Sequence, residues 1–172
     1  MSTISGAAPE LVSLSPEATR QVAERLASVA APGDVLCLWG ELGAGKTVFA
    51  KGFGAGLGVE DTISSPSFVL MGEYAGRLPM FHIDLYRLAS AAEALDGGLL
   101  DERQASGVVL IEWPDRLGDA LPGDRLDVRI DGGADEPRHI RLEALGSGYD
   151  RYVRVAARAG DRPHGTAAGG SA

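Results

Sequence analysis

The chain is poor in cysteine, in lysine and in long apolar runs: its 172 residues include one cysteine and two lysines. The single Cys37 excludes a disulfide within the chain, and its apolar surroundings in the sequence predict a buried, unreactive thiol. No apolar stretch approaches the roughly 20 residues that a membrane-spanning helix needs. Residues 1–9 lack the basic start and apolar centre of a signal peptide. These absences predict a cytoplasmic protein that does not associate with membranes.

Positive charge is also scarce. The 16 basic and 24 acidic residues give a net charge of −8, which argues against a broad basic face that grips nucleic acid. If RNA is involved, we expect a partner to hold it. The length supports one domain, residues 1–158, and the glycine- and alanine-rich composition of residues 159–172 predicts a disordered tail.

A glycine-rich motif stands out in what the sequence does contain. It follows an apolar run, residues 35–39, that predicts a buried strand, and it precedes a predicted helix. In this context backbone N–H groups and a helix N-terminus converge on an anion, while the lysine adds a charge and the threonine hydroxyl suits Mg²⁺. The pattern G-x-x-x-x-G-K-[ST] therefore predicts a site for ATP and Mg²⁺. Its members are Gly40, Glu41, Leu42, Gly43, Ala44, Gly45, Lys46 and Thr47.

The order of apolar and helical patterns predicts the fold class. Ser15 and Pro16 are typical of the start of a first helix, and further helices are expected over residues 45–57 and 89–95. Strands are predicted at residues 35–39, 68–71, 79–85 and 108–111, with a hairpin tip at Gly76, and an antiparallel pair at 126–130 and 140–143. This order predicts an α/β protein with the three-layer P-loop NTPase fold, a mixed, mainly parallel central sheet and an antiparallel addition.

Two acids at predicted strand ends are candidates for chemistry. Because ligands of such sheets collect at the carboxyl ends of the strands, the glycine-rich loop, Asp84 and Glu112 are expected along one edge. Glu112 is predicted to hold Mg²⁺, with a surface acid as the alternative. Asp84 is predicted to orient the attacking water or to hold Mg²⁺ through a water. Polar groups stand at every second residue along the predicted strand at 79–85 and just beyond it, which puts His82, Asp84 and Tyr86 on one strand face. His82 alone is equally consistent with a buried structural histidine.

Two further features keep more than one interpretation each. Residues 64–68 occupy the position of a loop that senses the terminal phosphate in related NTPases, or they form a plain polar connection. Trp113 covers the nucleotide, forms part of a docking surface or closes the core.

Four segments of the chain form a pattern: residues 40–47, Ser65-Pro66-Ser67-Phe68, His82-Ile83-Asp84-Leu85-Tyr86-Arg87-Leu88 and Ile111-Glu112-Trp113-Pro114. In this order and spacing they resemble the TsaE family. The resemblance spans about residues 14–142 and implies a small bacterial ATPase that supports formation of the threonylcarbamoyl group on N6 of adenosine 37 in tRNAs reading codons that begin with A. It also implies TsaD-like and TsaB-like partners, of which the TsaD protein carries out the transfer to tRNA.

Roles for individual residues follow from this resemblance. It implies that Lys46 and the loop glycines hold phosphate, that Thr47 and Glu112 hold Mg²⁺, and that Asp84 is required for hydrolysis. Thr19, in the first predicted helix, matches a position that approaches the adenine. The sequence departs from the family pattern at Ser67, where threonine is usual, but a hydroxyl is retained.

The predicted activity is ATP hydrolysis, slow without partners, coupled to a change in the polar loop and the docked partner. Two alternatives stay open. A small-molecule kinase would need a lid with arginines, and between residues 88 and 108 the sequence offers Arg103 alone. A docking module would bind ATP without hydrolysing it.

Overall fold

The computed structural model describes residues 8–65, 71–98 and 101–160. Within these ranges, seven strands form one sheet and four α-helices flank it. The strands are β1 Glu10–Ser13, β2 Val35–Trp39, β3 Met71–Tyr74, β4 Met80–Asp84, β5 Val108–Glu112, β6 Arg125–Asp131 and β7 Arg138–Leu145. The helices are α1 Pro16–Ala27, α2 Lys46–Gly56, α3 Ala91–Asp96 and α4 Asp150–Gly160, with 3₁₀ segments at Glu102–Ser106 and Pro114–Ala120.

The sheet is mixed, with a parallel centre. Its strand order is β1-β7-β6-β2-β5-β4-β3, in which β2 pairs parallel with β5 and β6, and β4 pairs parallel with β5. Strands β1 and β3 form the two edges of the sheet, and β1, β7 and β3 pair antiparallel with their neighbours. This arrangement confirms the predicted mixed α/β sheet and brings the carboxyl ends of four parallel strands to one edge.

Both faces of the sheet centre are covered by apolar side chains. One face packs against α1, α2 and α4 through a cluster that includes Phe49, Leu110 and Tyr152. The other packs against α3 and the second 3₁₀ segment through a cluster that includes Ile111 and Leu117. Because both faces are buried, β5 is a nearly continuous apolar run rather than an alternating strand.

The predicted start of the first helix is confirmed. Ser15 is the N-cap of α1, its hydroxyl oxygen accepts a hydrogen bond from the Ala18 N–H at 3.1 Å, and Pro16 occupies the first helical turn. The cap satisfies one of the N–H groups that a helix start leaves without an intrahelical partner.

Two glycines inside α2 allow it to lie close against α1. A Cβ atom on Gly52 would lie 2.3 Å from the carbonyl oxygen of Arg20, and one on Gly56 would lie 2.5 Å from that of Glu24. These positions explain why a helix that carries the site contains residues of low helix propensity. The close approach fixes α2 against a second, capped helix.

Several elements differ from the sequence-based expectation. Strand β1 and helix α4 were not predicted; β1 pairs antiparallel with β7, and α4 includes residues 159 and 160, which the composition assigned to the tail. The hairpin around Gly76 is confirmed, with its first strand at Met71–Tyr74. Residues 66–70, on which most of the predicted strand at 68–71 falls, lie outside the described residues, as do residues 161–172.

No helix within the described ranges is both long enough and apolar enough to span a lipid bilayer.

Candidate functional site

The glycine-rich loop joins β2 to α2 at the carboxyl edge of the parallel strands. Gly43 and Gly45 have φ values of 81° and 109°, in the left-handed region that favours glycine. Gly40 is required for a different reason, since a Cβ atom there would lie 2.5 Å from the carbonyl oxygen of Ile130. The loop therefore fits against the end of β6 and ends at the N-terminus of α2, an arrangement that suits an anion.

Lys46 is the first residue of α2 and is only 5% exposed. Its Nζ donates hydrogen bonds to the carbonyl oxygens of Gly40 at 2.5 Å and Glu41 at 2.9 Å, and it lies 4.2 Å from the centroid of the Trp113 ring. Burial lowers the pKa of Lys46 below its ordinary value, and the carboxylate of Glu112 partly opposes this change. The ammonium group is thus folded back on the first half of the loop.

A buried hydrogen-bonded group connects α2 with two strands. The Thr47 hydroxyl donates to Oε1 of Glu112 at 3.0 Å, and Nε2 of His82 lies 2.9 Å from the same oxygen. Glu112 is 3% exposed and His82 is completely buried. When the carboxylate is ionised, Nε2 of His82 carries the proton and donates. Of the two interpretations of His82, these contacts favour the buried structural histidine. Its imidazole holds the carboxylate that faces Thr47.

Asp84 lies beside Glu112, because the two residues are paired in the parallel register of β4 and β5. Its Oδ2 accepts a hydrogen bond from the Ser65 hydroxyl at 2.7 Å, and its Oδ1 accepts one from the Tyr86 N–H at 3.0 Å. Strand β4 ends at Asp84, so the expectation that Tyr86 shares a strand face with His82 is wrong. Two carboxylates and a polar loop nevertheless meet at the edge that carries the glycine-rich loop.

Trp113 has a strained backbone. Its φ and ψ are 57° and 52°, and among the described residues it is the only one other than glycine with positive φ. Its ring centroid lies 4.2 Å from the Lys46 Nζ and 5.0 Å from the centroid of the Tyr86 ring. Such a conformation costs on the order of 1–3 kcal/mol and persists only where the surroundings hold it. Trp113 borders the loop and also packs, half-buried, against the second core cluster.

The other predicted loop members differ in exposure. Ala44 is buried and its N–H donates to the Glu41 carbonyl oxygen at 3.0 Å, which closes a turn inside the loop. Leu42 is 75% exposed at the loop tip. Beside Gly40 and Glu41 the surface forms a cavity of about 390 Å³ that includes Trp39 in its lining.

Two predicted contributors lie apart from this group or outside the described residues. Thr19 is 2% exposed in α1, and its hydroxyl lies 2.7 Å from that of Ser13, so its described contact is structural. Its role at the adenine stays a prediction. Ser67 lies outside the described residues, whereas Ser65 is described and contacts Asp84.

Sequence reasoning missed Arg138 on β7. Its guanidinium donates to the carbonyl oxygens of Ala44 at 2.9 Å and Gly43 at 3.3 Å. The residue is 94 positions from Ala44 in the chain and belongs to no motif. The alternation of polar and apolar residues along β7 was the only sequence signal for the strand face on which Arg138 lies.

The donor set suits a cation that keeps part of its water shell. Within residues 8–65, 71–98 and 101–160, no group of three or more His, Cys, Asp or Glu side chains is placed to hold a metal ion. Thr47 and Glu112 offer hard oxygen atoms directly beside the loop. Mg²⁺ prefers such oxygens and usually needs only one or two from the protein.

The fold and the site define a mixed α/β protein with a glycine-rich loop between a central parallel strand and a helix. Residues 13–140 match the family model described as "Threonylcarbamoyl adenosine biosynthesis protein TsaE". The chain belongs to the TsaE family.

Relatives support this assignment over most of the chain. The "tRNA threonylcarbamoyladenosine biosynthesis protein TsaE" of Bacillus subtilis (strain 168) is 42% identical over 146 residues, which cover 84% of this chain and 91% of that protein. The protein of the same name from Streptomyces coelicolor is 37% identical over 134 residues, covering 74% and 90%. The crystal structure of Bacillus subtilis YdiB superposes with a TM-score of 0.72 at 36% identity, covering 91% of this chain and all of that one.

Proposed function

We propose that this chain is a P-loop ATPase that binds and hydrolyses Mg-ATP at residues 40–47. The observation that carries the proposal is the hydrogen bond from the Thr47 hydroxyl to the buried carboxylate of Glu112. It joins the first turn of the helix after a glycine-rich loop to an acid at the end of the neighbouring parallel strand. A pair of this kind is the usual protein contribution to magnesium in P-loop NTPases.

Binding of the triphosphate would use the loop and Lys46. Backbone N–H groups at the N-terminus of α2 would hold phosphate oxygens, and the Lys46 ammonium would neutralise charge on them. To do so, the ammonium has to leave the carbonyl oxygens of Gly40 and Glu41. The lysine therefore already lies within the loop and needs only to turn.

Thr47 and Glu112 would hold Mg²⁺, directly or through a water. The bound ion would offset the negative charge of the phosphates. His82 keeps the Glu112 carboxylate turned toward Thr47, because Nε2 lies 2.9 Å from Oε1.

Asp84 would orient the water that attacks the terminal phosphorus. The bond to the oxygen that bridges the two last phosphates then breaks, which gives ADP and inorganic phosphate. The Ser65 hydroxyl, which donates to Asp84, couples this carboxylate to the polar loop that begins there. That coupling offers a route by which nucleotide state changes the loop.

The biological role proposed for this ATPase is support of threonylcarbamoyladenosine formation at position 37 of tRNAs that read codons beginning with A. It would act in the cytoplasm with TsaD-like and TsaB-like proteins, which are expected to hold the tRNA because this chain carries a net charge of −8. The exposed Leu42 at the loop tip and the half-exposed Tyr86 give a partner apolar contact next to the nucleotide. A partner seated there would complete the site, so turnover by the isolated chain is expected to be slow.

The test compares ATP turnover by the isolated chain with turnover in the presence of the TsaD–TsaB pair, together with tRNA modification. Asp84→Ala should still bind nucleotide but fail to hydrolyse it or to support modification, whereas Lys46→Ala should lose binding. Asp119→Ala, an exposed aspartate outside the site, is the control.

Three results would contradict parts of the proposal. Full activity of Asp84→Ala would remove its role in hydrolysis. Rapid turnover without partners would contradict partner dependence. Transfer of phosphate to a small acceptor instead of release as inorganic phosphate would identify a kinase.

A further inference from the structure

Arg138 joins two loops through backbone carbonyl groups. Its Nε donates to Ala44 and its Nη2 to Gly43, while its Nη1 donates to Gly133 and to Glu136, the latter at 2.8 Å. The guanidinium carries five N–H groups, and these four contacts use most of them. The side chain therefore ties the second half of the glycine-rich loop to the turn between β6 and β7.

The turn is shaped to admit this side chain. Gly132 has a φ of 130°, and a Cβ atom there would lie 3.2 Å from Cδ of Arg138 and 2.5 Å from the carbonyl oxygen of Pro137. The turn closes on itself as well, because the N–H of Glu136 donates to the carbonyl oxygen of Gly133 at 3.1 Å. Arg138 thus follows a turn that is closed by its own hydrogen bond.

The contact with Ala44 also determines how the next amide points. In a trans peptide the C=O and the following N–H point in opposite directions. Since the carbonyl oxygen of Ala44 faces Arg138, the N–H of Gly45 points away from it, on the side of the loop opposite to the β6–β7 turn. The peptide that opens the N-terminus of α2 is held in one orientation by a side chain from a distant strand.

We propose that Arg138 is a positioning residue that keeps Gly43, Ala44 and Gly45 in the phosphate-binding geometry. This inference rests on the proposed function. Lys46 and Arg138 hold different halves of the loop: Lys46 holds the carbonyl oxygens of Gly40 and Glu41, and Arg138 holds those of Gly43 and Ala44. When Lys46 turns to the phosphates, its carbonyl partners are released, but those of Arg138 are not.

A lysine cannot replace Arg138 fully. An ammonium is a compact point charge, whereas the planar guanidinium presents donors in a fixed fork that spans several acceptors. Arg138→Lys is therefore expected to keep one or two of the contacts, and Arg138→Ala none. The series gives a graded test of positioning.

The test measures binding of Mg²⁺ with a non-hydrolysable ATP analogue by calorimetry, together with hydrogen exchange of the loop amides without nucleotide. Arg138→Ala should raise the Kd about tenfold, in line with the loss of charge-assisted hydrogen bonds, and should speed exchange of amides 43–47. Arg138→Lys should fall between it and the wild type. Because the effect is on binding, KM should rise while kcat at saturating ATP changes less than about twofold. Arg154→Ala, exposed on α4, should behave as wild type.

An unchanged Kd and unchanged exchange in Arg138→Ala would overturn the inference while leaving the proposed function intact. If the wild-type chain fails to bind the analogue, the proposed function fails, and the exchange measurement still decides whether Arg138 orders the loop. If Arg138→Ala does not fold, Arg138→Lys carries the test. A Kd and an exchange rate equal to wild type in that folded variant would overturn the inference.

Discussion

The hydroxyl oxygen of Thr47 lies 3.0 Å from Oε1 of Glu112, although 65 positions separate the two residues in the chain. The parallel pairing of β2 with β5 closes that separation, since Thr47 follows β2 and its loop while Glu112 ends β5. His82 reaches the same oxygen from the next strand, β4. A carboxylate held from two sides in a buried position is a fixed acceptor rather than a mobile surface group.

Glu112→Gln is expected to lower Mg²⁺-dependent ATP hydrolysis at least about 100-fold. The amide keeps the shape of the side chain and can still accept from Thr47, but it lacks the charge that attracts a divalent cation. Nucleotide binding without Mg²⁺ should change little. The measurement is phosphate release with and without Mg²⁺, with exposed Glu143→Gln as the control. Retention of the wild-type rate would exclude a role for the Glu112 charge.

As pH rises, the affinity for ATP is expected to fall, and to do so at a lower pH than it would if Lys46 had the pKa of an ordinary lysine. Burial lowers the pKa of Lys46 below its ordinary value of 10.5, so the ammonium loses its proton at a lower pH than an ordinary lysine does. Phosphate binding favours the charged form, so association in alkaline solution should take up a proton. Calorimetry in two buffers of different ionisation enthalpy measures that uptake.

Lys51→Met supplies the comparison for this pH effect, because it removes the other lysine and should retain the proton uptake. Lys46→Met should abolish it. Equal uptake in both variants would assign the proton to another group.

Tryptophan fluorescence is expected to report nucleotide binding through Trp113. The Lys46 ammonium lies 4.2 Å from the centre of that ring, so its departure toward phosphate removes a charge from the face of the indole. Addition of Mg-ATP should change the emission of the wild type and of Trp39→Phe. The change should disappear in Trp113→Phe, and its survival there would assign the signal to Trp39 instead of Trp113.

Asp34→Ala is expected to lower the free energy of unfolding by about 1–3 kcal/mol, since it leaves the buried Tyr152 hydroxyl and the Ala31 N–H without their acceptor. The Asp34 carboxylate accepts from the Ala31 N–H at 2.8 Å, the Tyr152 hydroxyl at 2.5 Å and the Arg151 guanidinium. These contacts dock α4 on the segment before β2. Tyr152→Phe removes one donor and should cost about 1 kcal/mol. Urea denaturation measures both, and a loss below about 1 kcal/mol for Asp34→Ala would show that the Asp34 contacts do not hold α4 in place.

Cys37 is expected to resist thiol reagents in the folded protein. Burial, together with the nearby charge of Asp127, raises the pKa of Cys37 from 9.0 to about 12. The folded state therefore keeps a proton that the unfolded state loses, so this group's contribution to stability falls as pH rises from 9 toward 12. At pH 8, labelling should proceed at the rate of unfolding, and rapid labelling without denaturant would show that β2 opens locally.

Local patterns predicted the elements that build the sheet centre. The apolar runs of β2 and β5 and the cap of α1 are properties of adjacent residues, so they could be recognised directly. Strand β1 was missed because it is short and pairs only with β7, at the edge of the sheet. Helix α4 was missed although Tyr152 and Ala156 lie on its buried face. The glycine- and alanine-rich end of the chain obscured the helical spacing of its apolar residues.

The sequence by itself determined the glycine-rich loop, its frame of strand and helix, and the acids at two strand ends, because each depends on residues close together in the chain. Only the tertiary structure decided that His82 supports Glu112, that Trp113 covers Lys46, and that Arg138 holds the loop from outside. These contacts depend on strand order and parallel register, which bring groups on residues tens of positions apart to distances between 2.9 and 4.2 Å. Local propensity carries no information on that order.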